Sequence, residues 1–224
     1  MEKATRAKPT TLEIDYPDRE LDRVTTFFRP LVAIPILIIL GALGGSPVFW
    51  YEGPWFWDWF GNLDWQWQGF PAILVAPTAL MIIFRQKYPR WWFDWNLNLT
   101  RFATRVFSYL ALLTDVYPST DDSQGVHLDL HYPDVSEELN SLMPLVKWFL
   151  AIPHYILLFF LNTAATMVII LSWFAILFTG KYPKSFFGFV VEVYHWNLRV
   201  LAYAFLLITD KYQLEELPEI LESG

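Results

Sequence analysis

Apolar runs of bilayer length alternate along this chain with segments whose polar residues recur at helical spacing. Pro30 to Phe49 carries no charge over about twenty residues, the length that crosses a hydrocarbon core as a helix. Phe70 to Phe84 is a shorter uncharged run. Leu142 to Leu161 is a third, interrupted by Lys147 and His154, and Thr163 to Thr179 is a fourth. These runs predict four membrane spans arranged as two helical hairpins. Pro35, Pro77 and Pro153 fall inside them, which a helix in lipid tolerates where neighbours re-satisfy the freed carbonyls. Phe93–Thr114 and Phe187–Thr209 read differently. In the first, Asp94, Asn98, Arg101, Arg105 and Ser108 step by four and three; in the second, Glu192, His195 and Arg199 do the same. Each sequence makes one narrow polar stripe on an otherwise apolar helix. Such a helix either lies in the membrane plane with its stripe toward headgroups, or crosses with its stripe facing a bundle interior, and the pattern leaves both open. Leu12–Ile14 and Leu128–Leu130 alternate instead, and predict a small two-stranded element.

Landmarks recur in the same order. Leu12-Glu-Ile-Asp-Tyr-Pro-Asp18 returns as Leu128-Asp-Leu-His-Tyr-Pro-Asp134, Ala33-Ile-Pro35 as Ala151-Ile-Pro153, and Lys87-Tyr-Pro-Arg90 as Lys181-Tyr-Pro-Lys184. Arg29 stands opposite Lys147, and Arg105, Tyr109 and Asp115 opposite Arg199, Tyr203 and Asp210. The reading is two tandem units of roughly a hundred residues. The first covers 1–118 with a Trp-rich loop at 50–67; an acidic linker covers 119–127, the second unit 128–213 and an acidic tail 214–224. The fold class expected is an all-α integral membrane protein of two tandem repeats. Each repeat is a transmembrane helical hairpin plus an amphipathic helix, with the two-stranded β element added.

The series of landmarks resembles a bacterial membrane family known as domain of unknown function 4389. The second unit matches it best, through LVKWFLAIPHYILLFFL, AILFTGKYP and LRVLAYAFLLITDKY. The first unit departs from it, with Ile36 in place of the His after Ile-Pro and with the Trp-rich insertion. The resemblance implies a polytopic membrane protein. The family has no assigned activity, so no catalytic residues are carried over.

Composition supports the membrane reading, with 54% hydrophobic and only 17% charged residues against roughly a quarter charged in ordinary globular chains. The 19 Phe, 12 Trp and 11 Tyr suit anchoring at membrane–water interfaces. The absence of Cys removes disulfides, thiolate nucleophiles, Cys-ligated zinc and iron–sulfur clusters. The net charge of −7 is concentrated between Arg105 and Lys147, where Asp115, Asp121, Asp122, Asp129, Asp134, Glu137 and Glu138 stand without a single base. No basic tract with interleaved aromatics exists, which excludes nucleic acid as a partner. Lys3, Arg6 and Lys8 precede the first apolar run at a distance, so a retained anchor is expected rather than a cleaved signal. With Arg85, Lys87 and Arg90 after the second run, and Lys181 and Lys184 after the fourth, they place a multi-pass chain in the bacterial inner membrane with a cytoplasmic N-terminus and parallel units.

The loop from Trp50 to Trp67 holds Trp50, Trp55, Trp57, Trp59, Trp65 and Trp67. An outer-face aromatic belt is its first reading, a docking surface for a partner protein its second, and a pigment, quinone or lipid platform its third. If the striped helices approach one another, Arg101 and Arg105 meet Glu192, with His195 and Arg199 nearby. Such a cluster serves either mutual pairing or an anionic lipid head. Neither stripe offers the chain of carboxylates a proton path needs. His154 and His195 invite a bis-His haem reading, and His127, His131 and Asp129 a divalent ion, but lone histidines are mostly satisfied by local hydrogen bonds. No Gly-rich phosphate loop, GxSxG elbow or His-Glu-x-x-His appears. The expectation is therefore a non-enzymatic scaffold or accessory subunit without a cofactor, contacting membrane lipids and either other membrane subunits or its own copies. The alternative is a lipid or small-molecule binding or translocating protein.

Overall fold

A computed structural model describes residues 10–17, 20–44, 72–120, 124–133, 135, 139–140 and 142–210. The Trp-rich loop at 50–67 and the acidic tail lie outside the described residues. Among the described residues the chain is mostly helical, with one small sheet. Strand β1 (Thr10–Ile14) precedes helices α1 (Arg23–Val32), α2 (Ile34–Gly44), α3 (Ala72–Arg85) and α4 (Arg90–Leu110); strand β2 (Val126–Leu130) precedes α5 (Met143–Leu150), α6 (Ile152–Thr179) and α7 (Lys184–Ala204).

The expected strands form and pair antiparallel, with Leu12 opposite Leu128 and Thr11 opposite Asp129. Alternation sets their faces: Val126, Leu128 and Leu130 are buried while His127 and Asp129 face outward. Asp22 caps α1 by accepting from the Val24 and Thr25 N–H groups at 2.8 and 3.4 Å. The helical ladder runs on from α1 into α2 through Ala33, and from α5 into α6 through Ala151, each two residues before a proline. Gly180 ends α6 in the left-handed region at φ 74°, returning its N–H to the Ile176 carbonyl at 2.7 Å.

The hairpin expected of the second unit is not there. The runs Leu142–Leu161 and Thr163–Thr179 do not fold back on each other, because Ile152–Thr179 is one continuous helix of 28 residues. Asn162, which separates the two runs, sits inside that helix and exchanges amide hydrogen bonds with Asn197 at 3.1 and 2.8 Å. A buried partner removes the cost of carrying a polar side chain mid-helix, so nothing obliges the chain to turn. Two helical stretches are long and apolar enough to cross a membrane by length and composition, Arg23–Gly41 and Ile152–Thr179. Among the described residues, 28% and 17% of their most apolar windows are buried.

The elements stack in three layers. Helix α7 returns antiparallel along α6, with Phe187 and Val190 beside Ile176, Trp196 and Val200 beside Leu158, and Tyr203 and Ala204 beside Ala151. On the other side of α7 lies the sheet, where Leu128 and Leu130 pack with Leu198 and Leu201. Helix α4 stands beside α7, joined by the stacked rings of Phe107 and Tyr194 at 3.8 Å, and packs Phe102 and Val106 on Ala33 and Ile36. The sheet thus forms one outer layer, α4 and α7 the middle, and the apolar helices the other outer layer. The sheet shows Thr11, Glu13, His127 and Asp129 to its surroundings, whereas α6 shows Ile156, Phe160, Met167 and Phe174.

The register makes a direct expectation in a chain without cysteine. Oxidation of a Thr11→Cys, Asp129→Cys variant closes an intramolecular disulfide, seen as a faster-migrating band in non-reducing electrophoresis. The Thr11→Cys, His127→Cys variant, displaced two residues along the ladder, stays open.

Candidate functional site

The polar stripes meet the sheet and the linker rather than each other. Arg101 donates to the Leu128 carbonyl at 2.9 Å and to the Asp129 carboxylate at 2.5 Å. Arg105 donates to the Ser119 carbonyl at 2.7 Å. His195 turns toward the Thr10 carbonyl of β1, 3.5 Å away. Glu192 is exposed and Arg199 half-buried on the same helix. The expected meeting of Arg101 and Arg105 with Glu192 is therefore replaced by pairing of each stripe with a strand or loop. The physical reason is proximity: the chain lays β2 along α4 and β1 along α7, and the Leu128 carbonyl and Asp129 carboxylate come within reach of Arg101.

Two buried cations that the stripes did not predict hold the ends of α4 and α7. Arg29 is 1% exposed; it donates to the Tyr109 and Thr114 carbonyls, both at 2.9 Å, and to the Asp115 carboxylate. Lys147, also 1% exposed, donates to the Thr209 carbonyl at 2.8 Å and pairs with Asp210 at 2.7 Å. Each cation lies over a tyrosine ring, Arg29 4.6 Å from the centroid of Tyr109 and Lys147 5.3 Å from that of Tyr203. The second carboxylate oxygen of each acid accepts a backbone N–H just before the next helix, Asp115 from Asp22 and Asp210 from Asn140. The turn that aims each Thr-Asp pair at its cation passes through a left-handed leucine, Leu112 at φ 66° and Leu207 at φ 57°. That conformation costs a branched residue on the order of 1 kcal/mol or more, which the surrounding bonds must offset. The signal was legible: a base inside an apolar run needs a partner, and Asp115 and Asp210 recur in step with Arg29 and Lys147.

Two corners complete the frame. The Tyr16 hydroxyl donates to the Tyr182 carbonyl and the Tyr132 hydroxyl to the Tyr88 carbonyl, each at 2.6 Å. Burial pushes the Tyr182 hydroxyl up to about 12, opposed in part by Ser172, and moves Tyr88 up as well. Both phenols stay neutral at physiological pH, so the charge of each corner is that of its lysines and arginines.

The remaining candidates separate. His154 lies against the Trp196 ring at 6.1 Å while His195 faces the sheet, so the two do not converge on one haem position. Asp129, one of the three residues considered for a divalent ion, is engaged by Arg101. Around the Asn162–Asn197 pair, Phe107, Thr166 and Tyr194 line a cavity of ≈ 10 Å³, about the room one water needs. Trp50, Trp55, Trp57, Trp59, Trp65 and Trp67 lie outside the described residues.

A sequence model of the family described as Domain of unknown function (DUF4389) matches residues 143–212, from the start of α5 past the Asp210 clamp. The suspected family is thus the one matched, over the half expected to match it best. Neither the curated proteins nor the solved structures contain a match.

Breaking either clamp from the acid side leaves a cation buried without its counter-charge. Asp210→Asn is expected to cost about 3–5 kcal/mol. Adding Lys147→Met in the same chain recovers a large part of that loss, because the stranded charge is then gone. Thermal unfolding in detergent followed by circular dichroism checks both.

Proposed function

We propose that the chain is a non-enzymatic membrane-embedded module of two tandem units that serves as a scaffold or accessory subunit. Its apolar helix layer sits in one leaflet and its sheet faces water. The observation that carries this reading is the order of the layers. The sheet lies opposite the middle of α6, with α7 between, since His195 and Leu198 flank the Asn197 that bonds Asn162. A helix of 28 residues measures about 42 Å. Were it to stand upright across a bilayer, an open two-stranded sheet bearing Glu13 and Asp129 would lie at hydrocarbon depth, where unpaired strand edges do not occur. Laid along the membrane, the same molecule puts its apolar side chains in lipid and its charged ones in water.

The tandem reading draws support from the contacts above. Leu12 faces Leu128, its own counterpart in the sequence; Arg29–Asp115 answers Lys147–Asp210, and Tyr16–Tyr182 answers Tyr132–Tyr88. In the last pair each unit's strand arm closes the other unit's corner. The scaffold reading is favoured over a translocator because Arg101 and Arg105 are spent on strand and loop carbonyls. The basic residues near both corners favour the cytoplasmic leaflet of the bacterial inner membrane, with the N-terminus on that side.

Single cysteines at Asn140 and Lys181 bracket α5 and α6. In right-side-out and inverted vesicles a membrane-impermeant maleimide is expected to reach both from the same, cytoplasmic side. Labelling from opposite sides means that α6 crosses, which overturns the one-leaflet placement. Gentle extraction of the same vesicles, read by native mass spectrometry, is expected to retain a stoichiometric membrane protein or further copies of this chain; a lone chain overturns the scaffold role.

A further inference from the structure

The chain turns sharply at two corners, residues 84–90 and 178–184, and both present the same features in the same order. Phe84 and Phe178 are the most exposed large apolar side chains among the described residues, at 78% and 79%. Three positions on, Lys87 and Lys181 are exposed; three further, Arg90 and Lys184 open α4 and α7 and are exposed too. No acid stands within either seven-residue corner. At the second corner Glu20 and Arg23 both reach Gly180, one of each sign, which leaves the lysines to set the local charge.

The corners are also held rigidly. Between the two cations Tyr88 and Tyr182 are buried, and each carbonyl is bonded to the tyrosine that follows a strand. The rings of those strand-end tyrosines support the second cation of each corner: Arg90 lies 5.0 Å from the centroid of Tyr132, and Lys184 5.4 Å from that of Tyr16. A cation resting on an aromatic face has already lost part of its rotational freedom, so a bound anion meets a smaller ordering cost.

An open phenylalanine three and six positions before two cations, with Arg85 a third cation at the first corner, offers the two chemistries of one amphiphile, apolar chain and charged head. Water disfavours the first and the bilayer core the second, and the boundary between them accommodates both. We propose that each corner binds one anionic phospholipid, its phosphate between Lys87 and Arg90 or between Lys181 and Lys184, and its acyl chain against Phe84 or Phe178. The corners hang from opposite ends of one sheet, and with that sheet laid parallel to the membrane the two lipids belong to one leaflet. That last point rests on the one-leaflet placement; the sites themselves do not.

The test uses the full chain in mild detergent with equal amounts of phosphatidylglycerol and phosphatidylcholine, and native mass spectrometry counts the lipid retained. The wild type is expected to hold two phosphatidylglycerol molecules. Lys87→Gln with Arg90→Gln leaves one, Lys181→Gln with Lys184→Gln leaves one, and all four together abolish the preference, while the melting temperature falls only by the small amount that losing the exposed contacts of Arg90 on Tyr132 and Lys184 on Tyr16 allows. Phe84→Ser with Phe178→Ser lowers retention several-fold. An unchanged lipid ratio in the fourfold variant overturns the proposal. So does displacement of the lipid by inorganic phosphate at matched concentration with the serine variants binding as wild type, since the site then takes a free phosphate. Loss of the preference in the fourfold variant, together with labelling of Asn140 and Lys181 from opposite sides, keeps the two sites and removes only the shared leaflet.

Discussion

The pairing of β1 with β2 is the constraint from which the rest of the structure follows. Ten residues, far apart in the chain, form a ladder with two open edges, and a two-stranded ribbon alone is marginal in water. It persists here because its apolar face is seated on α4 and α7 and because Arg101 reaches the backbone of β2. In return the strands meet part of each polar stripe, Arg101 on α4 and His195 on α7, while Asp94, Asn98 and Glu192 stay exposed. The strand-end tyrosines extend the same connection to both corners, so sheet, middle helices and corners are fixed relative to one another by a few strong contacts.

The buried cations illustrate how an apolar chain uses charge. Arg29 and Lys147 sit in runs whose composition rejects them, and burying an unpaired cation is prohibitive. Each is surrounded by a carboxylate, at least one carbonyl and a tyrosine face. The result is specific rather than merely tolerated. Each clamp joins the last turn of a striped helix to the first helix of an apolar pair, a connection that apolar packing alone, which is non-directional, does not specify. The left-handed Leu112 and Leu207 show that backbone strain is accepted to bring the Thr-Asp pairs into reach.

Periodicity made much of this legible. Alternation at Leu12–Ile14 and Leu128–Leu130 identified the strands, and the three-and-four spacing of Asp94 to Ser108 and of Glu192 to Arg199 identified α4 and α7. The likeness of the second unit to a family was visible from its landmarks alone. The division of Ile152–Thr179 into two spans was not justified, because runs of apolar residues record burial or lipid contact without recording direction. Asn162 interrupts the apolar run, and only the neighbouring Asn197 shows that the helix continues through it. The destination of Arg101 and Arg105 was equally hidden, since spacing shows that a stripe needs partners and not which backbone supplies them.

The sequence by itself determined which segments are helical, which alternate as strands, where the apolar surface lies and that the landmarks occur twice, because each of these is written in local spacing. Only the tertiary structure decided that the strand arms cross to the opposite corners, that Arg29 and Lys147 find Asp115 and Asp210, and that polar sheet and apolar helices occupy opposite outer layers. Those facts depend on which distant surfaces meet. Contact between residues separated by 44 to 166 positions is set by the summed fit of many elements, and no local pattern carries it.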